Sequence, residues 1–249
     1  MRVGWLADQT AEPGGAELTQ AEFRVAAPEG VEIVDCPPGA VIEDCERYVV
    51  HNAVQYTLDD LKPLGGKPSL KYWHDVGPHL QDDMRKRLSG MRQVCCSPPQ
   101  ADYMGLSDRA RCVPPPVDLD RFRRAAESAN GARSGALSVG YWRNYGKAPH
   151  RAAEWAAGNG GIDFYGGGVF APAGSREIAY EGMPQLLARY RTFVFLPIVI
   201  EPFGRVVAEA WAASCEIVTN RLVGARWWIE EDPARLETAA EDFWSLALR

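Results

Sequence analysis

Two glutamates, Glu201 and Glu209, stand in the stretch Phe193-Val-Phe-Leu-Pro-Ile-Val-Ile-Glu201-Pro202-Phe203-Gly204-Arg205-Val206-Val207-Ala208-Glu209-Ala210. An apolar run ends at Leu196, a proline-containing loop carries Glu201, and Phe203, Val206, Val207 and Ala210 then recur at helical spacing. That pattern predicts a strand, a loop and a helix that starts near Phe203 and turns this face inward. The first-turn amides of a helix lack intrahelical acceptors and carry the positive end of its dipole. The helix start at Gly204 therefore predicts an anion site at the C-terminal end of a strand. Glu209 falls near Arg205 on the less apolar side. Spaced i, i+4, the two also read as a surface ion pair worth about 0.3 kcal/mol.

Other residues with chemical potential lie upstream. Arg143 and Lys147 place two cations close together in Ser138-Val-Gly140-Tyr-Trp-Arg143-Asn-Tyr-Gly-Lys147, a phosphate grip or a solvated basic loop. His74 follows the apolar run Ser69–Trp73, where a lone histidine is commonly structural. Gly14 and Gly15, in Glu12-Pro13-Gly14-Gly15-Ala16-Glu17, allow a tight turn or a close backbone approach, but not the G-x-G-x-x-G of dehydrogenases. Asp118-Leu119-Asp120 has the form of a metal-holding D-x-D pair. Following Pro114-Pro115-Pro116, however, the aspartates read as caps of a short helix.

Something must hold these residues in place. Short apolar runs alternate with helical patterns, which indicates βα units and parallel sheets. Strands are expected near Val3–Ala7, Val31–Asp35, Tyr48–His51, Ser69–Trp73, Gln93–Cys96, Arg111–Val113, Leu137–Tyr141, Ile162–Tyr165, Thr192–Leu196 and Glu216–Thr219. Helices are expected near Ala16–Ala26, Leu80–Leu88, Gln100–Leu106, His150–Ala157, Met183–Tyr190, Phe203–Ala213 and Ala234–Leu246. The middle of the small, polar, glycine-containing stretch Ala125–Ser138 reads as a linker. It separates a first domain, 1–124, from a second, 135–235, and leaves a C-terminal helix, 236–249, able to return to the first. The expected fold class is α/β, with two Rossmann-like domains facing across a cleft.

A chain of 249 residues can build such cores. Its 27 Lys and Arg against 33 Asp and Glu leave a net charge of −6, which argues against a protein whose main task is coating phosphate backbones. Cys36, Cys45, Cys95, Cys96, Cys112 and Cys215 contain no C-x-x-C pair, and four histidines give a zinc site little support. Met1–Asp8 turns polar too soon for a signal peptide, and no run approaches ~18 apolar residues. A reduced, cytoplasmic setting without a transmembrane segment is expected.

The chain resembles the retaining GT-B glycosyltransferases, specifically the large family marked by two glutamates separated by seven residues, as a compact member. Glu201 and Glu209 match that spacing, with Pro202, Phe203, Gly204, Arg205 and Ala210 in context. The resemblance implies a nucleotide-diphosphate sugar donor and a catalytic role for Glu201 and His74. It implies donor contacts at Gly14, Gly15, Arg143, Lys147, Pro202–Arg205 and Glu209, the last on the nucleotide's ribose, with Tyr165-Gly166-Gly167-Gly168 beneath the base. No metal and no resident cofactor are implied. The first half is short for the family, so a large acceptor is expected: a glycan, a lipid-linked glycan, a protein or a nucleic-acid base. A basic rim of Lys62, Lys67, Lys71, Arg85, Lys86, Arg87 and Arg92 would meet a phosphate-bearing partner. The chain departs from the family at Ile198, Ser214-Cys215 and Ala225-Arg226-Trp227-Trp228. A catalytically weak nucleotide-sugar-binding module is the alternative. A nicotinamide oxidoreductase fits less well, for want of its glycine motif.

Overall fold

The structure, a computed structural model, describes residues 1–10, 14–40, 44–77, 80–129 and 131–249. Glu12 and Pro13, two residues of the expected glycine-rich loop, lie outside this range. The contacts divide the chain into two units, Met1–Pro116 with Ala234–Arg249, and Val117–Pro233.

The first unit carries strands β1 (Arg2–Leu6), β2 (Glu32–Asp35), β3 (Arg47–Val50), β4 (Ser69–Trp73), β5 (Arg92–Cys95) and β6 (Arg111–Cys112). They form one parallel sheet in the order β2-β1-β3-β4-β5-β6. β1, β3 and β4 are buried nearly end to end, as expected of strands covered on both faces. Its first helices are α1 (Gly15–Val25), α2 (Asp82–Ser89) and α3 (Pro98–Tyr103). Helix α3 begins before the expected Gln100 because Ser97 caps it, accepting from the Gln100 amide, and Pro98 and Pro99 suit its first positions.

The second unit opens with α4 (Leu119–Ser128). Asp118 caps it by accepting from the Arg121 amide at 3.0 Å, and Asp120 pairs with Arg123 at 3.1 Å. This helix runs to Ser128, into the first part of the stretch whose middle is expected to be a linker; it buries Leu119 and Phe122 and packs on two later helices of the same unit, Met183–Leu187 and Arg205–Ala212. Then follow β7 (Ala136–Val139), α5 (Pro149–Ala157), β8 (Asp163–Tyr165), α6 (Met183–Leu187), β9 (Thr192–Phe195), α7 (Arg205–Ala212), β10 (Glu216–Thr219) and α8 (Gly224–Glu231). The four strands make a parallel sheet in the order β10-β9-β7-β8.

The last segment belongs with the first unit. Where one helix is expected, the chain forms α9 (Ala234–Glu237) and α10 (Ala239–Ala247), parted at Thr238. Phe243 stacks on Phe23 with centroids 3.8 Å apart, and the Trp244 indole donates to the Phe23 carbonyl at 2.8 Å. Among the described residues no helix is long and apolar enough to cross a membrane.

Candidate functional site

The sheet order sets where a ligand can sit in the second unit. From β7 the chain moves to β8 on one side, then crosses to β9 on the other. The C-terminal ends of β7 and β9 therefore flank a topological switch point, where open α/β sheets bind ligands. Lys147 lies on the loop after β7 and Glu201 on the loop after β9, and the structure brings them together. Lys147 Nζ is 3.7 Å from Glu201 Oε2, with the side chains 30% and 23% exposed. The two loops are stitched by the Ile198 amide, which donates to the Gly146 carbonyl at 2.8 Å. A Cβ on Gly146 would lie 2.4 Å from Val199, so only glycine lets the loops close to this distance.

Backbone bonds fix Glu201 from the other side. Its amide donates to the Leu222 carbonyl at 2.8 Å, and the Gly224 amide donates to its carbonyl at 3.0 Å. The Ala225 amide holds the Phe203 carbonyl at 2.7 Å, and Pro202 and Phe203 are buried. Gly204 then adopts a left-handed φ of 77°, with Val223 Cγ1 only 3.0 Å from where a Cβ would stand. The helix consequently starts at Arg205, two residues later than the periodicity suggests. The Val207 amide closes on the Gly204 carbonyl at 2.8 Å, so that first-turn donor is already used.

Arg205 and Glu209 are not a surface pair. They are 8% and 3% exposed, with Arg205 Nε 3.6 Å from Glu209 Oε1. The cause is packing: α4 and α8 lie on α7 in addition to β9 and β10, so its polar side is covered as well as its apolar one. The Tyr180 hydroxyl donates to Glu209 Oε1 at 3.1 Å and lies 3.3 Å from Arg205 Nη2. Sequence reasoning passed over Tyr180, which sits in a short turn with no periodic pattern around it.

Arg143 is exposed on the loop after β7, its guanidinium 4.4 Å above the Tyr141 ring. The glycines after β8 have a packing reason. Gly166 is left-handed, and a Cβ on it would strike the Gly140 carbonyl at 1.9 Å. The Gly140 and Trp142 amides donate to the Tyr165 and Gly167 carbonyls at 3.1 and 2.7 Å, binding this loop to the one that carries Arg143 and Lys147.

In the first unit the switch point lies between β1 and β3. After β1, the Asp8 carboxylate accepts from the Val54 and Gln55 amides at 3.0 and 2.8 Å, tying the two loops there. Gly14 caps α1 with an ordinary extended φ of −106°, and its amide is taken by the Glu17 carboxylate at 2.8 Å. Gly15 follows as the first helical residue, exposed. His74 stands half-buried just past β4. Its Nε2 lies 2.8 Å from Nδ1 of His51, a fully buried ring at the end of β3. His51 was readable only as the end of an apolar strand, although that position is the counterpart of His74's.

No protein-family model matches the chain, and no curated protein matches it. Solved structures do. The glycosyltransferase AviGT4, involved in avilamycin A biosynthesis, is 17% identical over 100% of this chain and 92% of its own, with a TM-score of 0.67. Alr3699/HepE of Anabaena, in complex with UDP and glucose, is 13% identical over 98% and 94%, with a TM-score of 0.64. Sucrose-phosphate synthase of Thermosynechococcus elongatus is 12% identical over 99% and 91%, with a TM-score of 0.67. The chain has the GT-B fold. At these identities the likeness is one of fold, and GT-B proteins carry their chemistry in side chains that each sequence must supply.

One side chain of this GT-B chain departs from expectation. Lys71, placed by sequence on a basic rim, is 2% exposed in the middle of β4. Its ammonium donates to the His51 carbonyl and, at 2.9 Å, to the Tyr72 carbonyl, and lies 4.5 Å from the Trp73 ring centroid. Of the other rim residues, Lys62 and Lys67 pair with Asp59 and Asp44, and Arg87 and Arg92 donate to the Leu61 and Leu246 carbonyls. Burial pushes the Lys71 pKa down to about 8. Between pH 8 and the ordinary lysine value of about 10.4, the unfolded chain binds the proton that the folded one has lost, so stability rises with pH. The unfolding free energy of wild type relative to Lys71→Met is therefore expected to climb by about 2 kcal/mol in all from pH 8 to 10. Urea melts of both proteins across that range test this, and a flat difference would contradict it.

Proposed function

We propose that this protein transfers a sugar from a nucleotide-diphosphate sugar to an acceptor hydroxyl, with retention at the anomeric carbon. The reading rests on the Lys147–Glu201 pair at the switch point of a GT-B fold, beside the start of α7. Glu201 accepts hydrogen bonds from the donor sugar's hydroxyls and fixes the anomeric carbon for attack. Lys147 and Arg143, with backbone amides near Gly204, stabilise the charge that builds on the departing diphosphate. Pro202, Phe203 and Gly204 set the loop against the donor, and Glu209, oriented by Arg205 and Tyr180, receives the ribose. Gly14 and Gly15 bring backbone near the phosphates, and His74 orients and polarises the sugar.

No enzymic nucleophile is needed. The acceptor oxygen bonds to the anomeric carbon on the face the phosphate leaves, as the anomeric carbon–oxygen bond breaks. The departing phosphate oxygen takes the acceptor's proton, and a nucleoside diphosphate is released. The acceptor is large: a glycan, a lipid-linked glycan, a protein or a nucleic-acid base. UDP and glucose are the ligands named for HepE, so UDP-glucose is the first donor to test.

The experiment is a thermal-shift panel of nucleoside diphosphates and nucleotide sugars, followed by donor hydrolysis without acceptor. A ligand at ~100 times its Kd adds roughly 2.7 kcal/mol of stability. Binding with no turnover of any donor would favour the binding-module reading, and no binding would reject both. Transfer is expected to proceed unchanged in excess EDTA, because Asp118 and Asp120 serve as a helix cap and an ion pair and the diphosphate has cationic partners in the chain. Activity that vanishes in EDTA and returns with Mg²⁺ or Mn²⁺ would overturn that.

A further inference from the structure

The 2.8 Å separation of His51 Nδ1 and His74 Nε2 requires one proton between them, and the surroundings decide whose it is. If His74 supplied it, a neutral His51 would carry its own proton on Nε2. That atom is fully buried and meets no hydrogen-bonding partner among the described residues. An orphaned buried N–H is among the rarest features of folded proteins, rarer than an unfilled acceptor. No aromatic face receives it either. Trp5, Phe23, Tyr72, His74 and Phe243 lie at 33–45° to the His51 ring, none at the near-perpendicular angle that points an N–H at a π face. A doubly protonated His51 is disfavoured by its burial, by His74 and by the Lys71 ammonium, which donates to the His51 carbonyl.

We propose that His51 is a positioning residue for His74: it donates its Nδ1 proton to His74 Nε2 and so holds His74 as the neutral tautomer protonated at Nδ1. The role assigned to His74 under the proposed function is the one this deepens, and it rests on that reading. With Nε2 committed, His74 is confined to one tautomer and one ring orientation. Its ring is locked by a partner that is itself wedged among Trp5, Phe23, Tyr72 and Phe243. A buried second group that fixes a histidine's tautomer is a common requirement of histidine chemistry.

The test uses the whole protein, labelled with ¹⁵N-histidine. Only four histidines are present, so each signal is assignable by substitution. His74 in wild type is expected to show a protonated Nδ1 and an unprotonated, hydrogen-bonded Nε2. In His51→Leu it is expected to revert towards the Nε2-protonated form that histidine favours in water. A wild-type His74 protonated at Nε2 overturns the proposal. In turnover, His51→Leu is expected to lower kcat by about 10–100-fold with the donor KM within about twofold. His51→Asn, which keeps an N–H donor near the Nδ1 position, is expected to recover kcat to within about fivefold of wild type. A packing role alone predicts the reverse order, since leucine fills an aromatic pocket better than asparagine does. Asparagine performing no better than leucine overturns the proposal even if one variant folds poorly. If wild type turns over no nucleotide sugar, the functional reading fails while the ¹⁵N spectra still decide the tautomer. If wild type is active and His51→Leu keeps its kcat, the positioning role fails alone.

Discussion

Glu201→Ala is expected to lower transfer about a thousandfold and leave the fold almost untouched. The side chain contributes little to stability: its ion-pair partner, Lys147, is 3.7 Å away, beyond direct hydrogen-bonding distance, and both side chains are only partly buried. Pairs that keep access to solvent are worth about 0–1 kcal/mol. What fixes residue 201 is its backbone, bonded to Leu222 and Gly224, and alanine keeps those bonds. The carboxylate is instead assigned to the sugar, where losing one preorganised contact to the reacting group costs about 10²–10³ in rate. The measurement is kcat for transfer beside a urea melt and the affinity for the nucleoside diphosphate. A folded Glu201→Ala with wild-type kcat would sink the site assignment. Glu201→Gln, which keeps an acceptor but not the charge, should fall between the two.

Much of the fold was legible because parallel strands buried on both faces leave an apolar run that ends at a polar or glycine-rich loop. Each of the ten strands among the described residues falls where a strand is expected, β4 at Ser69–Trp73 and β10 at Glu216–Thr219 with their expected bounds, although the edge strands β2, β6 and β10 are only partly buried. Helix α5 was equally plain: Pro149 opens it and Gly158 follows it. Lys147 and Glu201 were placed at one donor site by the family resemblance; each lies on a segment that follows a strand, and the pairing of β7 with β9 brings those segments together.

The residues that escaped reading did so because tertiary packing, not local pattern, sets their state. The start of helix α4 was readable from its Asp118 cap, but its last turn, Ala125–Ser128, is small and polar, and the helix runs through it where α6 and α7 supply a surface for Leu119 and Phe122. Helix α8 opens on Gly224, a poor helix former, and is held there by amides bonded to Glu201 and Phe203. A lysine inside β4 suggests an exposed face. The Lys71 ammonium instead satisfies two carbonyls inside the unit, which only the pairing of β3 with β4 makes possible.

Glu209→Ala is expected to cost about 3 kcal/mol of stability and to weaken nucleoside diphosphate binding by roughly 10–100-fold. The stability loss follows from burial. Arg205 and Glu209 are both nearly inaccessible, and removing one member of a buried pair typically costs about 3–5 kcal/mol because the other charge keeps its desolvation penalty. The affinity loss follows from the proposed ribose contact, a charge-assisted bond worth about 1.5–3 kcal/mol. A double replacement separates the two effects. In Arg205→Met/Glu209→Leu no buried charge is stranded, and apolar residues of similar volume are often neutral or stabilising in such a place. The double variant is therefore expected to regain stability without regaining nucleotide affinity. Tyr180→Phe removes the hydroxyl that donates to Glu209 Oε1 at 3.1 Å, and is expected to lower affinity by a smaller factor, since it only loosens the carboxylate. Urea melts and titration calorimetry with UDP on all three variants decide between these roles. A double variant that recovers both stability and affinity would reduce Glu209 to half of a structural ion pair and leave the ribose without its partner.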